Sequence, residues 1–172
     1  MSDTENNDGE NETPIGAIIM WGGQNNIPSG WMPCDGRIVE IGNYAELYDA
    51  IAHNFGTLPQ SNDYDPSKQF FIPDLRGRFV RGVDNTPDKT PRDPDRETRT
   101  DMQSDQKVGA KVGSLQADEF KSHTHNYKMY AANHQSLGSG DHFGDGVEKT
   151  TPTGGSETRP KNAYLYYIIK AR

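Results

Sequence analysis

Apolar side chains in this chain come in short bursts that lie far apart: Ile15 with Ala17 to Met20, Phe70 to Ile72, and Tyr164 to Ile169. Between the last two, Asp84 to Lys107 is almost devoid of apolar residues, and Val108 is the next one. No burst is long enough to span a bilayer, and nothing here lays a stripe along an extended helix. A core must therefore be assembled from short pieces brought in from distant segments. The 18 glycines and 11 prolines cut the 172 residues into such pieces and favour turns and short strands. Only 31% of residues are apolar, against roughly 45–50%, glycine included, in globular domains. A compact monomer of this length and composition is poorly stabilised. Subunit contacts, a bound metal, or both must offset the chain entropy.

The first twelve residues carry Asp3, Glu5, Asp8, Glu10 and Glu12 and no base, and are expected to be a disordered acidic tail. Those carboxylates make up most of the formal charge of −7, so the body is close to neutral. A general attraction to nucleic acid or anionic membrane is not expected. An acidic start is not that of a secretory signal peptide, which predicts synthesis in a cytoplasm without one. Cys34 is the sole cysteine, which excludes an intrachain disulfide and a cysteine-rich zinc site.

Ile15 to Met20 reads as a buried strand ending at Trp21-Gly22-Gly23. Trp31 to Cys34 reads as a strand entering an Asp35-Gly36 turn, with Arg37 to Ile41 as the return strand. Asn43 is a candidate N-cap for one short helix carrying Tyr44, Leu47, Tyr48 and Ile51 at helical spacing. Thr57 to Gln69 is a loop. Phe70 to Ile72 is a strand, and Leu75 to Val83 alternates as a half-buried one. Residues 84–107 are predicted to run extended along neighbouring chains of an oligomer. Residues 126–158 read as an exposed, loop-rich head, and Ala163 to Ala171 as a closing strand. The fold class is α+β, mainly β.

His123 and His125 give the sharpest chemical signal. On a strand, residues i and i+2 share a face, so both imidazoles point the same way. Two ligands are too few for a stable metal site, and an isolated pair of this kind is more often two surface histidines. Under threefold symmetry the pair supplies six nitrogens and no open position, a structural rather than catalytic site. Six nitrogens admit iron, nickel or zinc, although zinc usually takes four ligands.

Longer motifs carry a resemblance. Pro28-Ser29-Gly30-Trp31-Met32-Pro33-Cys34-Asp35-Gly36, Tyr44-Ala45-Glu46-Leu47-Tyr48 and Phe71-Ile72-Pro73-Asp74-Leu75-Arg76-Gly77-Arg78-Phe79 resemble the phage tail collar domain. Downstream, Gly113-Ser114-Leu115-Gln116, Lys121-Ser122-His123-Thr124-His125 and Glu157-Thr158-Arg159-Pro160-Lys161-Asn162-Ala163 are similar to the distal part of short tail fibres. The resemblance implies a collar-type domain over 13–84, an extended loop over 85–110, and an intertwined trimeric, metal-binding, β-rich tip over 111–172. It implies a homotrimer with one structural transition metal, iron or zinc with nickel also admissible, held by His123 and His125. It further implies a virion tail or phage-tail-like particle, contact with a baseplate or fibre protein, and a bacterial surface glycan or lipopolysaccharide as receptor. Candidate receptor residues in the head are Tyr127, Tyr130, Asn133, His134, Asp141, His142 and Phe143, because exposed loops carry binding residues.

Arg76, Arg78 and Arg81 are expected to pair with carboxylates such as Asp35, Asp74 and Asp84 rather than to clamp a phosphate. Trp21 and Trp31 are expected to pack rather than to stack on sugars. Two other functions compete with receptor binding. One is a purely structural trimerisation cap. The other is a glycan hydrolase using two carboxylates, disfavoured because no acid–nucleophile pair stands out; the chain is expected not to be an enzyme.

Overall fold

The computed structural model describes residues 13–84, 90–122, 124 and 157–172. The chain divides into two compact units, Met1–Gln116 with Ala163–Arg172, and Ala117–Asn162. In the first unit, strands β1 (Ile18–Trp21), β2 (Trp31–Pro33) and β3 (Ile38–Glu40) are followed by helix α1 (Ala45–Ile51), β4 (Gln69–Phe71) and β5 (Tyr166–Lys170). The result is mainly β with one short helix, as expected.

The C-terminal strand β5 lies between β1 and β2, antiparallel to both. Ile169 sits opposite Ile18 and Met32, and Ile168 opposite Ile19 and Pro33. Both isoleucines are fully buried, as a strand covered on both faces requires. β3 and β4 form a second antiparallel pair with Ile38 opposite Phe71. The core between these elements holds Cys34, Leu47, Ile51, Phe55, Phe70, Ile72, Ile169 and Ala171.

The helix follows its apolar spacing, with Leu47 and Ile51 buried. Asn43, expected to cap it, instead ends a 3-10 turn over Ile41–Asn43, and Tyr44 is the N-cap, without a side-chain bond. The turn passes chain to helix through the backbone, Tyr44 N–H donating to Ile41 O at 3.0 Å. Arg172 covers the Tyr44 ring at 4.7 Å.

Four expectations are corrected. The strand predicted from Ile15 begins at Ile18, because Ile15 and Gly16 form a turn closed by Ala17 N–H on Pro14 O, and it is not buried: Met20 is 64% exposed and Ile18 and Ile19 are also exposed. It is an edge strand, paired with β5 alone among the described residues. The return strand forms at Ile38–Glu40 but pairs with β4 instead of β2. The chain is redirected at Gly36, whose N–H donates to Pro73 O at 3.0 Å. Leu75 to Val83 is not a strand; Phe79, Val80 and Val83 lie exposed without a ladder partner among the described residues. The described residues between 90 and 107 are not simply extended. They fold on their own unit through a 3-10 turn at Arg96–Thr98 and bridges from Thr100 to Lys107 and Leu115. Residues 90–116 and β5 thus share a unit with residues 13–84, where the sequence predicts a loop and a tip.

Two backbone positions make this packing sensitive. Gly113 has φ +81°, and an added Cβ would lie 2.0 Å from Asn54 O. Gly113→Ala is expected to lower stability by more than about 2 kcal/mol in urea denaturation, combining strain with displacement of the helix end. Ala52, at the helix exit, has φ 44° and ψ −134°, a region glycine tolerates far better. Ala52→Gly is expected to raise stability by about 1 kcal/mol in the same assay, strain relief exceeding the entropy cost of glycine.

Candidate functional site

The metal candidates His123 and His125 and the receptor candidates Tyr127, Tyr130, Asn133, His134, Asp141, His142 and Phe143 all lie outside the described residues. Among the described residues, no group of three or more His, Cys, Asp or Glu is arranged to hold a metal ion. No described helix is long and apolar enough to cross a membrane.

What the described residues do build is a pair of carboxylate–guanidinium forks. Asp35 and Asp74 face each other across an antiparallel bridge. Each grips the arginine two residues on. Arg37 donates from Nε and Nη2 to Asp35. Arg76 donates from Nε to Asp74 Oδ1 and from Nη2 to Oδ2, both at 2.8 Å. In each fork the backbone N–H of the arginine also points at the carboxylate, at 3.3 Å. The side-chain bond from Arg37 holds the Asp35 carboxyl below its ordinary value, and the bond from Arg76 does the same for Asp74. Cys34 lies beside them in the core, and burial, with Asp35 and Asp74 nearby, pushes its thiol up to about 12. That shift keeps it protonated at neutral pH.

Arg76 and Gly77 line a hollow of about 660 Å³ together with Gln24, Asp35, Leu165 and Tyr166. An adjoining hollow of about 510 Å³ adds Trp21 and Tyr164. Tyr164 is 92% exposed. Flat rings there stand beside an amide, a carboxylate and a guanidinium. Both tryptophans are half-buried: Trp31 lies 5.9 Å beneath Lys170 Nζ, while Trp21 borders the hollow.

A second polar assembly surrounds Asp93, which the sequence reading did not single out. Asp93, only 4% exposed, accepts from Arg99 Nη1 at 3.3 Å and lies 3.6 Å from Arg81 Nη1. Arg99 also donates to Ser114 Oγ at 2.8 Å, Ser114 O at 2.9 Å and Gln116 Oε1 at 2.9 Å. The Asp93 backbone N–H donates to Asp84 at 2.9 Å. This clasp folds a segment whose composition argues for disorder. The one signal for it in the sequence is the spacing of Asp93, Arg96 and Arg99, which puts opposite charges one turn apart.

Two of the three arginines pair with carboxylates. Arg76 takes Asp74, and Arg81 takes Asp93 in place of Asp84. Arg78 has its Nη1 buried with no hydrogen-bond partner among the described residues.

The forks set an acid limit. The folded-state values of Asp35 and Asp74 lie below the ordinary 3.8. Their stabilisation is therefore present above that value and lost as pH falls through the lower, folded-state values. Urea midpoints are expected to fall as pH drops below the ordinary value and through the lowered folded-state values. Asp74→Asn should be less stable at neutral pH and show a shallower acid slope.

Comparison with known proteins places the geometry in a family. The family model Phage Tail Collar Domain matches residues 16–80. Protein RhiB of Rhizobium leguminosarum bv. viciae is 34% identical over 149 residues, covering 83% of this chain and 64% of RhiB. A probable tail fiber protein of Haemophilus phage HP1 (strain HP1c1) is 25% identical over 174 residues, covering 86% of this chain and 15% of that protein. The chain therefore spans less than two thirds of either relative. Residues 16–80, which hold β1 to β4, α1 and both Asp–Arg forks, match the phage tail collar domain.

Proposed function

We propose that this chain is the tip module of a phage-like tail fibre, working as a homotrimer that presents a receptor-binding head. The observation that carries the reading is a collar domain whose β1 leaves Ile18, Ile19 and Met20 uncovered. A chain this poor in apolar residues gains most by covering them with copies of itself. The likeness to a probable tail fiber protein supports the same context.

In this reading His123 and His125 of three chains share one structural ion, iron or zinc with nickel admissible. The donor chemistry fits only a shared site, since two imidazoles per chain fall short of the four donors zinc usually takes. The ion supplies cross-linking of chains. Residues 126–158, with Tyr127, Tyr130, Asn133, His134, Asp141, His142 and Phe143, form the face toward a bacterial surface glycan or lipopolysaccharide. A baseplate or fibre protein holds the other side, in a virion tail or phage-tail-like particle.

The role is non-catalytic. A glycan hydrolase needs one carboxyl kept protonated as an acid, and Asp35 and Asp74 are both pushed the opposite way. The Cys34 thiol is likewise held in its unreactive form.

The test is a double substitution, His123→Ala with His125→Ala. The parent protein should scatter light as a trimer and hold one metal per three chains by elemental analysis. The variant should lose the metal and melt at least about 10 °C lower, consistent with loss of a structural site. An equally stable, metal-free trimeric variant sinks the shared ion. Lipopolysaccharide pull-down with the parent trimer separates a receptor binder from a structural cap, which would retain none.

A further inference from the structure

We propose that the open edge of β1 is completed by the segment Arg78 to Val83 of a second copy of the chain, each copy giving its segment to one neighbour and receiving one from another. This rests on the homotrimeric reading and assigns the surfaces that build it.

The acceptor is an unguarded edge. β1 pairs with β5 on one side only. Its four residues, Ile18 to Trp21, are all apolar and hold no lysine, proline or bulge of the kind that keeps other strands away. The backbone groups on its outer side have no ladder partner among the described residues.

The donor has the complementary defect. Phe79 to Val83 makes no backbone hydrogen bond with the described residues. Phe79 is 63% exposed and Val80 61%, with Val83 exposed as well. On an extended backbone, successive side chains face opposite ways. Phe79 and Val80 are therefore covered together only when the segment lies in a sheet with material on both faces. Docking on β1 would satisfy the edge groups of both pieces. It would also bring free carbonyl oxygens toward Arg78, whose Nη1 lacks an acceptor among the described residues of its own chain.

The symmetry argument favours exchange over self-pairing. β1 against β1 across a two-fold axis would make a dimer and leave Phe79 and Val80 bare. Donation from one surface to a different one is heterologous; where the rotation closes such contacts form a ring, which in the homotrimeric reading has three members.

Two single-cysteine variants test this, Met20→Cys carrying an affinity tag and Val80→Cys without one. Both positions are exposed, so the fold should survive, which circular dichroism verifies. Cys34 is buried and protonated and stays silent. The two variants are co-expressed, purified through the tag and treated with a short bis-maleimide. The expected result is a covalent pair of one tagged and one untagged chain, absent when either variant is treated alone. Self-linking of the Met20→Cys variant would mean β1 pairs with β1, or with another protein's strand held in common, and overturns the exchange. A trimer by light scattering with no mixed pair overturns it too, while leaving the trimeric reading intact. A monomer with no pair brings down that reading, and this inference with it.

Discussion

The unit depends on one insertion, β5 sliding between β1 and β2. Without it, β1 and β2 have no common partner, since neither bonds to the other. Ile168 and Ile169 then have no place to be buried, and the core loses the residue that touches Met32, Ile18 and the helix layer together. Few apolar residues are present, so each buried one carries a large share of the burial energy. A strand hidden on both faces is the most economical use of them. The same insertion fixes the far end of the chain, where Ala171 and Arg172 donate to Gly30 O at 2.7 and 3.1 Å.

Around that apolar centre, ion pairs take over the work that apolar contacts do in a richer chain. The forks at Asp35 and Asp74 clamp the two turns where the chain leaves β2 and β4. The clasp on Asp93 and Arg99 pulls the polar segment against Ser114 and Gln116. A buried carboxylate satisfied by several donors is stable only as a set, so removing one partner leaves the others uncompensated. The forks are local and partly exposed, so each contributes modestly. The clasp is buried and joins residues far apart, and it acts beside Met102, which packs against the core, in tying residues 90–116 to the fold.

What could be read from the sequence was whatever depends on near neighbours. Leu47 and Ile51 announce α1 by spacing, Phe70 to Ile72 announce β4 by clustering, and Arg76 finds Asp74 two residues away. Burial was misjudged where it depends on a partner. Ile18 to Met20 look like core because they are apolar, but only their pairing with β5 is local to this chain, and their faces stay open. Val80 interrupts an otherwise regular alternation, and that interruption marks a segment without a covered side rather than a flawed strand. Asp93 could not be told from its exposed neighbours, because composition reports average polarity and not who meets whom. The histidine pair lies outside the described residues, so spacing and resemblance alone speak for it.

Because β5 is the middle strand of its sheet, everything from Ile72 to Leu165 must be synthesised before the collar can close. An ordinary N-terminal domain finishes folding while the ribosome is still working; this collar has to wait for the last strand of its sheet to emerge. A closed collar is thus a certificate that the downstream segment exists in full. Prematurely terminated chains would display β1 and β2 without the strand that joins them.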